Sequence, residues 1–135
     1  MSLRILKPGL QTSLQGRPRA GYRHMGVPWA GAADPLSLAL ANRLAGNAPD
    51  TTGLEITLGG LSARFERNTA LALAGAPCPA TLAGAEIVFH STQIACAGDV
   101  LALGVPATGM RTYLAVAGGF SADTVLGSPS TYLPA

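Results

Sequence analysis

The chain has 135 residues, one domain's worth and enough for a single core. Only 12% are charged, against roughly 25% in an ordinary globular domain, while 48% are apolar, so much of the surface is small, apolar or hydroxylic and a partner surface is expected. Nine basic and seven acidic residues leave a net charge of +2 with no basic stripe, and aromatics are 5% of the chain, a balance that excludes nucleic acid as the expected partner.

Leu3 to Leu6 is a short strand stopped by Lys7-Pro8-Gly9, and Leu10 to Gln15 returns as its expected neighbour. Residues 21–34, running from Gly21-Tyr22-Arg23-His24 through Trp29 to Asp34, cannot be a regular element, because Gly21, Gly26, Pro28 and Gly31 break both periods. They read as a site loop. Asp34-Pro35 then starts a helix, the carboxylate capping orphan N–H groups and proline taking the first helical position. Leu36, Leu40 and Leu44 fall on one face of that helix, and Gly46 caps its end.

From Leu54 the rhythm changes to short strands: Leu54 to Leu58, Ala63 to Glu66, Ala70 to Leu73, Glu86 to Phe89, Val100 to Leu103 and Thr112 to Val116. Turn signals separate them, among them Gly59-Gly60, Gly75-Ala76-Pro77, Gly104 to Pro106 and Gly118-Gly119, which argues for a barrel or sandwich. Cys78 and Cys96 have neither zinc-site spacing nor the density of a disulfide scaffold; free core thiols are expected, with one bridge between them left open. No stretch approaches the roughly 18 apolar residues of a membrane span and no signal-peptide run opens the chain, so a cytoplasmic protein with no membrane partner is expected.

Several motifs occur in order along the chain: Pro8-Gly9-Leu10-Gln11-Thr12, Gly21 to Pro28, Gly31 to Asp34, Leu54-Glu55-Ile56, Arg111 to Gly119 and Leu126-Gly127-Ser128. Together they resemble the biotin-dependent carboxyltransferase family, whose members carry the labels allophanate hydrolase subunit 2, urea carboxylase carboxyltransferase domain and the C subunit of 5-oxoprolinase. The resemblance implies a cyclophilin-like β-barrel, one half of a two-barrel domain, with residues 1–135 as the amino-terminal half and the hydroxyl-rich tail as a sign that the chain is cut short. It further implies carboxybiotin on a companion carrier domain, ATP used by the wider complex, a companion subunit as partner and a small amide such as urea or 5-oxoproline as substrate. The family's Gln-Asp-x-Gly-Arg stands here as Gln15-Gly16-Arg17-Pro18-Arg19, and its Gly-Ser-Arg-Ser-Thr as Gly127-Ser128-Pro129-Ser130-Thr131. Two alternatives therefore stand beside the enzymatic reading: a regulatory module that partners a kinase-inhibitor-type subunit, and an inactive truncated remnant.

Moving a carboxyl group between nitrogens needs a cation for the carboxylate, donors for developing negative charge and a base for the acceptor's proton. Arg111 is the candidate clamp, and Tyr113 lies two residues along the same strand and on the same face. Asp34 and His24 complete the catalytic set, though a helix cap explains Asp34 and a hydrogen-bonding brace explains His24 equally well. Glu55 interrupts an apolar strand and so faces away from Leu54 and Ile56, either to solvent or to a binding mouth. Ser128, Ser130 and Thr131 offer hydroxyls, and Gly118 and Gly119 close backbone approach, as substrate-binding candidates; no metal site is expected.

Overall fold

Alternation of apolar and polar residues decides most of the strands, and two sheets result. The computed structural model describes residues 3–16 and 32–121, together with the backbone of Val125 and Leu126. One sheet runs β11 (Val125–Leu126), β1 (Leu3–Pro8), β4 (Leu61–Phe65), β9 (Val100–Leu103), β6 (Ala80–Leu82), β7 (Ala85–Glu86). The other runs β2 (Gln11–Gln15), β3 (Gly53–Thr57), β10 (Arg111–Val116), β5 (Thr69–Gly75), β8 (Gln93–Ala95). Neighbours are antiparallel except β1 and β11, which are parallel. In β1 and β4 the residues Leu3, Ile5, Leu61, Ala63 and Phe65 turn inward, and from the facing sheet Leu54, Ile56, Leu71, Leu73, Leu114 and Val116 meet them in one core. Burying each large aliphatic or aromatic side chain contributes roughly 1.5–3 kcal/mol against leaving it in water. The fold is mostly β with one main helix, as the sequence predicts.

Several expectations change in detail. β1 and β2 do not pair with each other: β1 joins β4, and β2 joins β3 in the other sheet. The cause is the corner at Gly9, whose φ of +68° turns the chain and whose missing side chain lets it lie against the Gly59 carbonyl, 2.3 Å from where a Cβ would stand. The expected strand over Glu86 to Phe89 contracts to Ala85–Glu86, while β6, β8 and β11 are short strands that the sequence pattern does not reveal. Both thiols are free, but only Cys78 packs against the core; Cys96 is exposed in a turn.

Helix α1 (Pro35–Leu44) begins as expected, with Asp34 accepting from the Ser37 amide at 3.1 Å and from the Ser37 hydroxyl. Gly46 lies one residue past the cap with φ +86°, and the bonds Gly46 N–H to Arg43 O and Asn47 N–H to Asn42 O close a Schellman motif. Its leucine stripe is not the buried face, however. Leu36 is 82% and Leu40 41% exposed, and the helix instead sets Leu38, Ala41 and Ala45 on the outer face of β5 and β10, against Ala74, Tyr113 and Ala115. Small residues win because they let the helix sit close: a Cβ at Gly53 would stand 2.7 Å from Leu38 Cδ1. Buried Asn42 fixes the far end, donating to the carbonyls of Pro49 (3.1 Å) and Thr51 (2.7 Å) and accepting from the Asn47 amide (3.1 Å). Asn47 in turn donates to Val116 O and accepts from Gly118 N–H, which ties the helix to the end of β10.

Candidate functional site

Strand register builds the site. On the outer face of the second sheet Ser13, Glu55, Tyr113 and Ala74 form one row across β2, β3, β10 and β5, and Gln11, Thr57 and Arg111 form the next row along. Arg111 and Tyr113 thus share a face, and Glu55 lies opposite Leu54 and Ile56, as period two requires. Glu55 is not solvent-exposed: it is buried, with the Ala33 amide of the segment that enters α1 bound to its carboxylate.

The polar contacts are few and specific. Tyr113 donates its hydroxyl proton to Glu55 Oε2 at 2.6 Å, and the same oxygen accepts the Ala33 amide at 2.9 Å. The Tyr113 hydroxyl also accepts the Asp34 amide at 2.9 Å. Glu55 Oε1 stands 3.6 Å from Arg111 Nε, an ion pair too long to be a hydrogen bond, and Arg111 Nε is buried with no hydrogen-bond partner among the described residues. The arginine side chain is nevertheless 38% exposed, so the rest of its guanidinium reaches the surface. Burial, reinforced by the bond to Glu55, pushes the Tyr113 phenol far above its ordinary pKa, and it stays protonated. Asp34 is the reverse case. The Ser37 hydroxyl and then the Ser37 amide hold its carboxyl below the usual range, against a smaller opposing effect of burial.

Beside Arg111 the backbone comes close. Gly75, at φ +91°, leaves room for the Arg111 carbonyl, 2.6 Å from where its Cβ would be, and Thr112 holds Ala76 O at 2.8 Å. Among the sequence candidates, then, Arg111, Tyr113 and Glu55 come together with the backbone of Asp34, whose carboxylate is engaged in capping. Gly118 and Gly119 lie past the other end of β10, at least about 17 Å of extended strand away, and serve the turn beside Asn47. His24, Ser128, Ser130 and Thr131 lie outside the described residues. The Ala33 and Asp34 amides escaped sequence reading because a backbone donor has no residue signature, and Ser13 escaped because only the β2 to β3 register places it beside Glu55.

A family model described as carboxyltransferase domain, subdomain A and B, matches residues 25–135. The chain belongs to this family. It is 42% identical over 131 residues to the C subunit of 5-oxoprolinase from Escherichia coli, covering 97% of this chain and 42% of that protein. Urea amidolyase of Saccharomyces cerevisiae is 39% identical over 132 residues, 97% of this chain and 7% of that protein. The crystal structure of the K. lactis urea amidolyase superposes with a TM-score of 0.78 at 39% identity, over 87% of this chain and 7% of that one. The chain therefore spans about two fifths of the length of the bacterial relative, and a small part of the fungal one. No described helix is long and apolar enough to cross a membrane.

Proposed function

We propose that this chain is the amino-terminal half of a carboxyltransferase-type subunit in an ATP- and biotin-linked system, acting on a small amide such as urea or 5-oxoproline together with a companion subunit. Membership of the family supports the reaction class, and the relatives named for 5-oxoprolinase and urea amidolyase suggest the substrates. The observation that carries the reading to particular atoms is the partly exposed guanidinium of Arg111, set over a buried carboxylate and without a hydrogen-bonded partner among the described residues.

Arg111 is the carboxylate-holding cation in this reading. Its planar fork suits a carboxylate in two-point contact, a geometry lysine cannot match. Carboxybiotin, when its carrier is docked, supplies the activated carboxyl group, and that group's charge and acceptor oxygens suit the donors on Arg111. The chain's own contribution is to hold that cation over the buried Glu55 carboxylate. Asp34 acts by seating the helix.

The test is assembly of this chain with the remaining part of the domain, the carrier and the companion subunits, followed by measurement of ATP-dependent loss of urea and of 5-oxoproline. Consumption of either amide that disappears with Arg111→Ala is the expected result. An assembled complex that consumes no small amide, or that is indifferent to Arg111→Ala, rejects the proposal.

A further inference from the structure

A carboxylate and a guanidinium left to themselves close to about 2.7–2.9 Å, commonly through two parallel bonds. Glu55 and Arg111 stop at 3.6 Å, although this leaves a buried Nε–H with no acceptor among the described residues. Among the described residues, the contacts able to hold the pair apart are those on the other carboxylate oxygen, from Tyr113 and the Ala33 amide. Tyr113 is itself fixed: its ring is fully buried beside Leu38, Ala41 and Ala74, and its hydroxyl gives its proton to Glu55 while accepting the Asp34 amide. It has neither the exposure to touch a substrate nor a spare proton to give one.

We infer that Tyr113 is a positioning residue: it ties Glu55 back from Arg111 and thereby leaves the hydrogen-bonding edge of the guanidinium open to a ligand carboxylate. The inference rests on the reading of Arg111 as the carboxylate-holding cation. Glu55 then acts as a counter-charge that steadies the arginine without consuming its donors. The two amides at the start of α1 belong to the same device, because they fix the hydroxyl and the carboxylate from the opposite side.

The experiment uses the full chain with 15N-labelled arginine, the Arg111 Nε–Hε signal being assigned by its loss in Arg111→Lys. Tyr113→Phe keeps every charge and frees Glu55 to close the pair. The Nε–Hε signal is expected to move downfield, and binding of acetate, the carboxylate probe, followed on the same spectra, to weaken about tenfold. Adding Glu55→Gln to Tyr113→Phe removes the competing charge and is expected to restore binding, a rescue that a merely structural role would not produce. An unmoved Nε–Hε signal in Tyr113→Phe overturns the inference, and so does weakened binding that Glu55→Gln leaves unrescued. Where Tyr113→Phe fails to fold, Glu55→Asp carries the test without touching the ring: the shorter carboxylate stays with Tyr113, recedes from Arg111 and shifts the signal upfield, whereas no shift overturns the inference. A signal that moves as expected in a chain that binds no carboxylate upholds the restraint on Glu55 and instead rejects Arg111 as the carboxylate-holding cation.

Discussion

Asn42→Ala is a sharp test of what seats the helix over the site. The native side chain is fully buried and makes three hydrogen bonds, donating to Pro49 O and Thr51 O and accepting from Asn47. Each is worth about 1 kcal/mol net, and because truncation leaves two buried carbonyls and an amide short of partners, the combined loss is roughly 3–4 kcal/mol. That is a large part of the roughly 5–15 kcal/mol that holds an ordinary domain together. For a chain of this size it corresponds to a fall in melting temperature of roughly 10–14 °C. Thermal and urea unfolding followed by circular dichroism measure it, with an unchanged m-value showing that the unfolded chain is the same. Asn42→Asp offers an internal control. A carboxyl facing two carbonyl oxygens takes up a proton on folding, so its penalty should shrink as pH falls, whereas that of Asn42→Ala should not. A loss below about 1 kcal/mol for Asn42→Ala would refute the reasoning, since the freed carbonyls would then have found equivalent partners.

Three further outcomes follow from the same geometry. Gly118→Ala, at φ +86° with open space around the new methyl, should lose about 1 kcal/mol for the backbone alone, whereas Gly119→Ala, at φ +75° with Thr51 Cγ2 2.4 Å from the new Cβ, should lose about 1–3 kcal/mol more; equal losses in urea unfolding would remove the steric argument. Asp34→Ala should cost about 1 kcal/mol at pH 7. Because the carboxyl is held below its ordinary pKa when folded, that contribution is complete above the ordinary carboxylate range and is lost as pH falls through the depressed folded value, so thermal melts of the two proteins should converge in acid. Asp34→Ser, which keeps a cap, should restore most of the stability and, in the assembled enzyme, leave turnover in place; its loss would reinstate the carboxylate as a reacting group. Arg111→Ala should abolish turnover of the assembled enzyme with a melting temperature within a few degrees of the parent, since an ion pair at 3.6 Å on a partly exposed arginine contributes little.

What the sequence made legible, and what it hid, divides along the range of the interactions involved. Asp34-Pro35 and Gly46 mark the ends of α1 through contacts no more than five residues apart, and Leu54-Glu55-Ile56 sorts its side chains by alternation alone; both hold in the structure. Which side of the helix is buried depends instead on what it packs against. Leu36 and Leu40 advertise a face, yet the alanines at 41, 74 and 115 with Gly53 make the closer surface, a preference visible only once β3, β5 and β10 are neighbours. The site depends on still longer reach. Glu55 and Tyr113 are 58 residues apart and meet through strand register, and the donors that restrain them from the helix side are main-chain amides at Ala33 and Asp34. A sequence can therefore nominate Arg111, Tyr113 and Glu55 as chemistry-bearing residues without telling which of them has donors left over. That distinction lies in whose hydrogen bonds are already satisfied: Tyr113 has a partner for both its proton and its oxygen, while Arg111 has a partly exposed guanidinium and a counter-charge held just out of hydrogen-bonding range.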